Sequence, residues 1–182
     1  MKLLRTIRLD ASDTFVFDAA AEPGEWAVSG AFVFWHKDPA TLDGKARAAF
    51  RGGFLGVRSL GWSTLVQIVD ASAAERARLV ELLAEQLIRH FGAPSPAAAT
   101  AAAEEEVAFA QSLCSEPAGR VVAVHRSYED GAVRETFRTL RPREGAKPAG
   151  VFAFLEVEGE DEPNEAVDDA IDLAALAKRG HK

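Results

Sequence analysis

Histidine, cysteine and arginine are the side chains here best suited to catalysis or ligand recognition, and the first two can be weighed one at a time. Cysteine occurs once, as Cys114, and histidine four times, at 36, 90, 125 and 181. His36-Lys37-Asp38 holds the groups of a metal-ligand pair or of a base with its orienting acid. The same residue types after a buried strand serve as turn caps, and that is the reading adopted. His90 falls in the last turn of a predicted helix, where a cation favours the helix dipole, and His181 lies in an acidic tail. Cys114 has no activating histidine beside it in sequence and reads as a small buried apolar residue. One cysteine excludes an intrachain disulfide and any multi-cysteine zinc or iron–sulfur site within one chain.

The trio His125, Arg134 and Arg138 carries more chemistry. Asp130-Gly131 suits the left-handed residues of a two-residue hairpin turn. Such a turn pairs Tyr128 with Val133, Arg126 with Glu135, Val124 with Phe137 and Val122 with Thr139 on one side, directed inward with an ion pair near its edge. The other side then carries His125, Ser127, Arg134, Thr136 and Arg138. Guanidinium groups match carboxylates and phosphates in bidentate geometry, so His125, Arg134 and Arg138 are anion-binding candidates. The competing expectation, which weighs more, is a solvated face whose arginines cover apolar surface and pair with acids from elsewhere.

No catalytic or metal-ligating set is assigned, and no cofactor is expected. Gly52-Gly53 and Gly56 lack the following Lys-Ser/Thr of a phosphate loop. Gly-x-Ser-x-Gly and His-Glu-x-x-His are both missing from the sequence. Whether the chain is an enzyme is left open, with the balance against it.

The elements that must position these residues follow from periodicity. Residues 3–9 and 14–18 read as two strands around the turn cluster Asp10-Ala11-Ser12-Asp13. Residues 26–35 read as a strand, with Gly30 marking a bulge or a close packing contact. A short helix at 43–51 stops at Gly52-Gly53, and a strand follows at 64–69. Ser72 with Glu75 is a capping box opening a helix whose stripe is Leu79, Val80, Leu83, Leu87, Ile88 and Phe91, ended by Gly92. A second helix spans 97–113 through an alanine run. Strands at 120–128 and 133–140 form the hairpin, 141–150 is a loop, and 151–157 is a last strand. This order implies an α+β two-layer domain: a mostly antiparallel or mixed sheet with two main helices packed on one face.

Of the 182 residues, 1–157 make a single globular domain by this reading. Residues 158–182 form an acidic segment too polar to offset its ordering entropy, expected to be mobile with a short helix at 165–178. A formal net charge of −7 leaves no broad basic field for nucleic acid. Apolar runs such as 31–35 and 151–155 are far short of the roughly 20 residues a membrane helix needs. The charged N-terminal stretch 1–8 is no signal peptide, so cytoplasmic residence is expected.

KLLRTIRLD at 2–10, GEWAVSGAFVFW at 24–35, AVHR at 123–126 and FRTLRPR at 137–143 resemble an uncharacterised family of alphaproteobacterial proteins, over roughly residues 1–143. The family's association with biotin or lipoate ligase-like neighbours and redox-enzyme maturation implies an accessory role supporting cofactor enzymes. No residue matches a ligase active-site motif, so the resemblance transfers no site. The sequence is therefore read as a non-catalytic accessory or interaction protein, meeting a protein partner through a sheet face, an edge strand or the acidic tail. The alternative is a small-anion-binding protein or enzyme with a pocket between sheet and helices. The sequence assigns no oligomeric state.

Overall fold

The computed structural model describes residues 1–129, 131–142 and 155–157. The expected acidic segment 158–182 lies outside them, as do the 143–150 part of the expected loop and residues 151–154. The strands are β1 (Lys2–Ile7), β2 (Trp26–Val28), β3 (Phe54–Gly56), β4 (Trp62–Ser63), β5 (Leu65–Asp70), β6 (Val121–Glu129), β7 (Ala132–Pro142) and β8 (Leu155–Val157). The α-helices are α1 (Ser12–Val16), α2 (Gly44–Gly52), α3 (Ala73–Phe91) and α4 (Pro96–Ser112). The sheet runs β4-β3-β2-β1-β5-β6-β7-β8, and every neighbouring pair is antiparallel. The chain is thus α+β with an antiparallel sheet, as the sequence implied.

Helix grammar is obeyed where it is strongest. Ser72 Oγ accepts the Glu75 N–H at 3.2 Å, while the Glu75 carboxylate accepts the Ser72 N–H at 2.8 Å, completing the capping box at the start of α3. Gly92 closes that helix in the left-handed region at φ 70°. Ser95 caps α4 through the Ala98 N–H, with Pro96 at its first turn. In α4 the buried residues are Ala99, Ala103, Val107 and Ala110, a stripe of mostly methyl-sized groups that lets the helix lie against β1 and β2. In α3 Leu79, Val80, Leu83 and Leu87 are buried, whereas Ile88 and Phe91 at the end of the expected stripe are partly exposed.

The β6–β7 hairpin has the register expected of a two-residue turn, including Arg126 opposite Glu135 and Val124 opposite Phe137. It does not stand apart from the far side of the sheet. The Phe137 and Phe54 rings lie 6.1 Å apart, although β2, β1, β5 and β6 separate their strands in sheet order. Five inter-strand spacings of a flat sheet would put them about 24 Å apart. The sheet is therefore strongly curled, and it encloses one continuous core drawn from β1, β2, β3, β5, β6, α3 and α4.

Two segments depart from the period-two reading. Residues 12–16 form α1 rather than part of a strand. Asp10 Oδ1 accepts the Ser12 N–H at 2.8 Å and Thr14 Oγ1 donates to the Ala11 carbonyl at 2.6 Å, so local side-chain bonds override β propensity. In the 26–35 stretch the strand ends at Val28, and Ala31–Phe34 is a 3-10 turn. Gly30, at φ 77°, redirects the chain so that Phe34 joins Phe17, Leu42, Ala49 and Phe50 in a second core cluster beside α2. The expected close contact at Gly30 is present: a Cβ there would stand 2.5 Å from Leu55 Cβ. Strands β3 and β4, of three and two residues, had no periodic signal to be read from.

Gly30→Ala combines a left-handed backbone with a collision against Leu55. It is expected to cost about 2–4 kcal/mol of folding stability, read as a lower urea midpoint with an unchanged slope.

Candidate functional site

Strand alternation sends Arg126 inward along with Val122 and Val124, and its side chain is wholly excluded from water. A buried guanidinium is tolerated only if its five N–H groups find acceptors, and all five do. Nε donates to Glu135 Oε1 at 2.7 Å. Nη1 donates to the carbonyls of Phe50 at 3.1 Å and Gly53 at 2.7 Å, and Nη2 to the carbonyl of Ser29 at 2.5 Å and its Oγ at 3.0 Å. Phe50 lies in the last turn of α2 and Gly53 caps it, so the cation also sits where a helix leaves unpaired carbonyls and partial negative charge.

Two carboxylates attend this cation. Glu135 Oε1 also accepts the Ser29 hydroxyl at 2.6 Å. From α4, Glu106 Oε1 accepts the Gly30 N–H at 2.9 Å. Burial pushes the Glu106 carboxyl above its ordinary value of 4.5; the Gly30 hydrogen bond and Arg126 oppose the shift, and the charge of Glu135 adds to it. Burial likewise pulls Arg126 down, and the charge and hydrogen bond of Glu135 hold it up. Arg126, Glu135, Ser29 and Glu106 are thus one polar cluster joining β6, β7, the end of β2 and α4.

Two further carboxylates, both buried, do local work. Glu25 accepts the N–H groups of Glu22, Arg58 and Ser59 and the Ser59 hydroxyl, all within 2.9 Å, and so ties the 57–61 turn to the start of β2. Asp13 accepts the Thr64 hydroxyl at 2.5 Å and anchors α1 to the start of β5.

His125, Arg134 and Arg138 are exposed on the opposite face of the hairpin from Arg126. His125 and Arg138 line one open depression of about 260 Å³ together with Ala123 and Val124. Arg134 lies nearer the hairpin tip, where its Nε meets Glu129 Oε2 at 3.3 Å. Cys114 is buried, donates to the Ala110 carbonyl at 3.4 Å, and burial pushes its thiol up to about 11, which makes it unreactive. Asp38 caps the 3-10 turn Pro39–Thr41 through the Ala40 N–H at 3.0 Å, as a turn residue should. His36 and His90 are exposed, and His90 does occupy the last turn of α3. Sequence reasoning found the Arg126–Glu135 pair but neither Ser29 nor Glu106. The available signal was an arginine at an inward position between Val124 and Tyr128, which must recruit acceptors from elsewhere.

This is an α+β domain whose interior is organised by a polar cluster. The model of the family of unknown function DUF6505 matches residues 1–156, and the chain belongs to that family. The resemblance to an uncharacterised family is therefore borne out. Neither the curated proteins nor the solved structures offer a match. No helix among the described residues is long and apolar enough to cross a membrane, and no group of three or more metal-ligating side chains occurs among them.

Arg126→Ala would leave Glu135 charged without its partner and three carbonyls without donors. The expected loss is about 3–5 kcal/mol, seen as a lowered thermal midpoint. Arg126→Lys, which keeps the charge but supplies fewer donors, should fall between.

Proposed function

We propose that this chain is a non-catalytic accessory protein that works by holding a protein partner on the surface bearing Phe15 and Trp35. The observation behind this reading is their exposure, 74% for Phe15 and 77% for Trp35. Both follow or precede a residue of the second core: Phe17 and Phe34 turn inward, while Phe15 and Trp35 stay in water. Val16, between Phe15 and Phe17, is exposed as well. Large aromatic side chains are the commonest anchors of protein interfaces because they bury much area with few rotors. The interior polar groups support the same reading, since the donors of Arg126 are all engaged within the fold.

The test compares the tagged full-length chain with Phe15→Ser/Trp35→Ser after recovery from its native cells. One protein should co-purify at fixed stoichiometry with the unaltered chain and fall by about tenfold or more with the variant, while the thermal midpoint holds. Equal recovery with both forms, or no specific partner with either, would dismiss the reading.

A second reading, small-anion binding on the hairpin face, is favoured by the depression that His125 and Arg138 share. Arg138 has no acidic partner among the described residues, whereas Arg134 meets Glu129. Calorimetric titration with phosphate and citrate should show binding that Arg138→Gln weakens by about tenfold, equivalent to one lost charge-assisted contact. Absence of heat from the unaltered chain would remove this alternative.

A further inference from the structure

We propose that Glu106, Glu135 and Arg126 form a proton-linked latch that sets how firmly the Ser29–Gly30 corner, and with it the turn bearing Trp35, is held against α4. The functional meaning of the latch rests on the partner reading above, because it would regulate the Trp35 surface; its physical content can be measured separately.

The geometry concentrates on two residues. Ser29 is gripped by Arg126 through its carbonyl and hydroxyl and by Glu135 through its hydroxyl. Among the described residues Gly30 is gripped by one side chain, Glu106, through its N–H. Gly30 is also the left-handed corner from which the 3-10 turn Ala31–Phe34 starts, and Trp35 follows directly. The hold on this corner is therefore one of two holds on the turn bearing Trp35, the other being Phe34 in the second core cluster.

The charges do not balance when every group is ionised. Among the described residues the charged groups acting on Glu106 are Glu135 from β7 and Arg126 from β6, and one guanidinium cannot neutralise two carboxylates. A protonated Glu106 removes the excess negative charge. Its folded-state affinity for the proton is raised above 4.5, so its contribution to stability is complete below pH 4.5 and is lost as pH rises through the folded value. Above that value two half-buried carboxylates share one cation. The structure relieves the repulsion by parting α4 from the Ser29–Gly30 corner, which loosens the turn.

Hydrogen exchange on the full chain tests this. The amides to follow are Gly30, bonded to Glu106, and Val33 and Trp35, bonded to the Gly30 and Phe32 carbonyls. After correction for intrinsic exchange, their open fraction should rise by about tenfold or more between about pH 4.5 and 8.5 in the unaltered chain. Glu106→Gln keeps an acceptor for Gly30 without the charge and should give a flat profile. Glu135→Gln removes the like charge and should move the rise to lower pH. A flat profile in the unaltered chain, parallel profiles for it and Glu106→Gln, or a Glu135→Gln rise at higher pH would overturn the latch. A flat profile with partner binding intact would sink the latch alone; a pH-dependent profile in a chain whose partner binding ignores Phe15 and Trp35 would sink only the partner reading.

Discussion

Taking a guanidinium out of water obliges the surrounding chain to supply an acceptor for every N–H, and around Arg126 this obligation is met from four separate places. Ser29 follows β2, Phe50 lies in the last turn of α2, Gly53 precedes β3, and Glu135 faces Arg126 across the hairpin. These segments belong to opposite halves of the sheet order, so they can converge only if the sheet curls. Burying the cation and curling the sheet are thus one structural event. The penalty of an unmet donor makes alternative, flatter arrangements of the same strands unfavourable. The position of α2 follows too, since its C-terminal carbonyls are among the acceptors and the charge complements its dipole.

The curl in turn sets what the helices must look like. A concave face leaves little room, and α4 meets it with Ala99, Ala103, Val107 and Ala110. The methyl-sized stripe brings the α4 backbone close to β1 and β2, and Glu106, next to Val107, can then reach Gly30. On the flank of this stripe, Phe109 meets Phe137 edge to face at 5.8 Å, and Phe137 in turn meets Phe54, so aromatic contacts close the gap that the polar cluster spans from inside.

Much of this was legible in the sequence, and the boundary is physical. α3, with its capping box, and the hairpin, with its Asp130-Gly131 turn, are specified by residues within four positions of one another, so local grammar was enough. Residues 14–18 and 26–35 misled because Phe, Val and Trp mark burial without fixing geometry. Asp10 and Thr14 bond to neighbouring backbone and wind α1, and Gly30 takes a left-handed corner that a period-two count cannot see. The Arg126–Glu135 pair was readable because strand register is local; Ser29 and Glu106 were not, since they lie 97 and 76 positions from the groups they meet. The candidate cationic face was read in the right register, yet sequence could not tell that Arg134 meets Glu129 while Arg138 lines a depression with His125.

The interior carboxylates differ in how many donors meet them. Glu25 accepts four hydrogen bonds and Asp13 is met by both the hydroxyl and the N–H of Thr64. Glu135 has a guanidinium and a hydroxyl. Glu106 accepts a single hydrogen bond among the described residues, from Gly30, and shares Arg126 with a second carboxylate. Among the described residues it is met by the fewest donors of the four, and burial raises its affinity for the proton. That the carboxylate met by the fewest donors is also the one attached to the left-handed corner before Trp35 links the interior electrostatics to the most exposed aromatic side chain among the described residues.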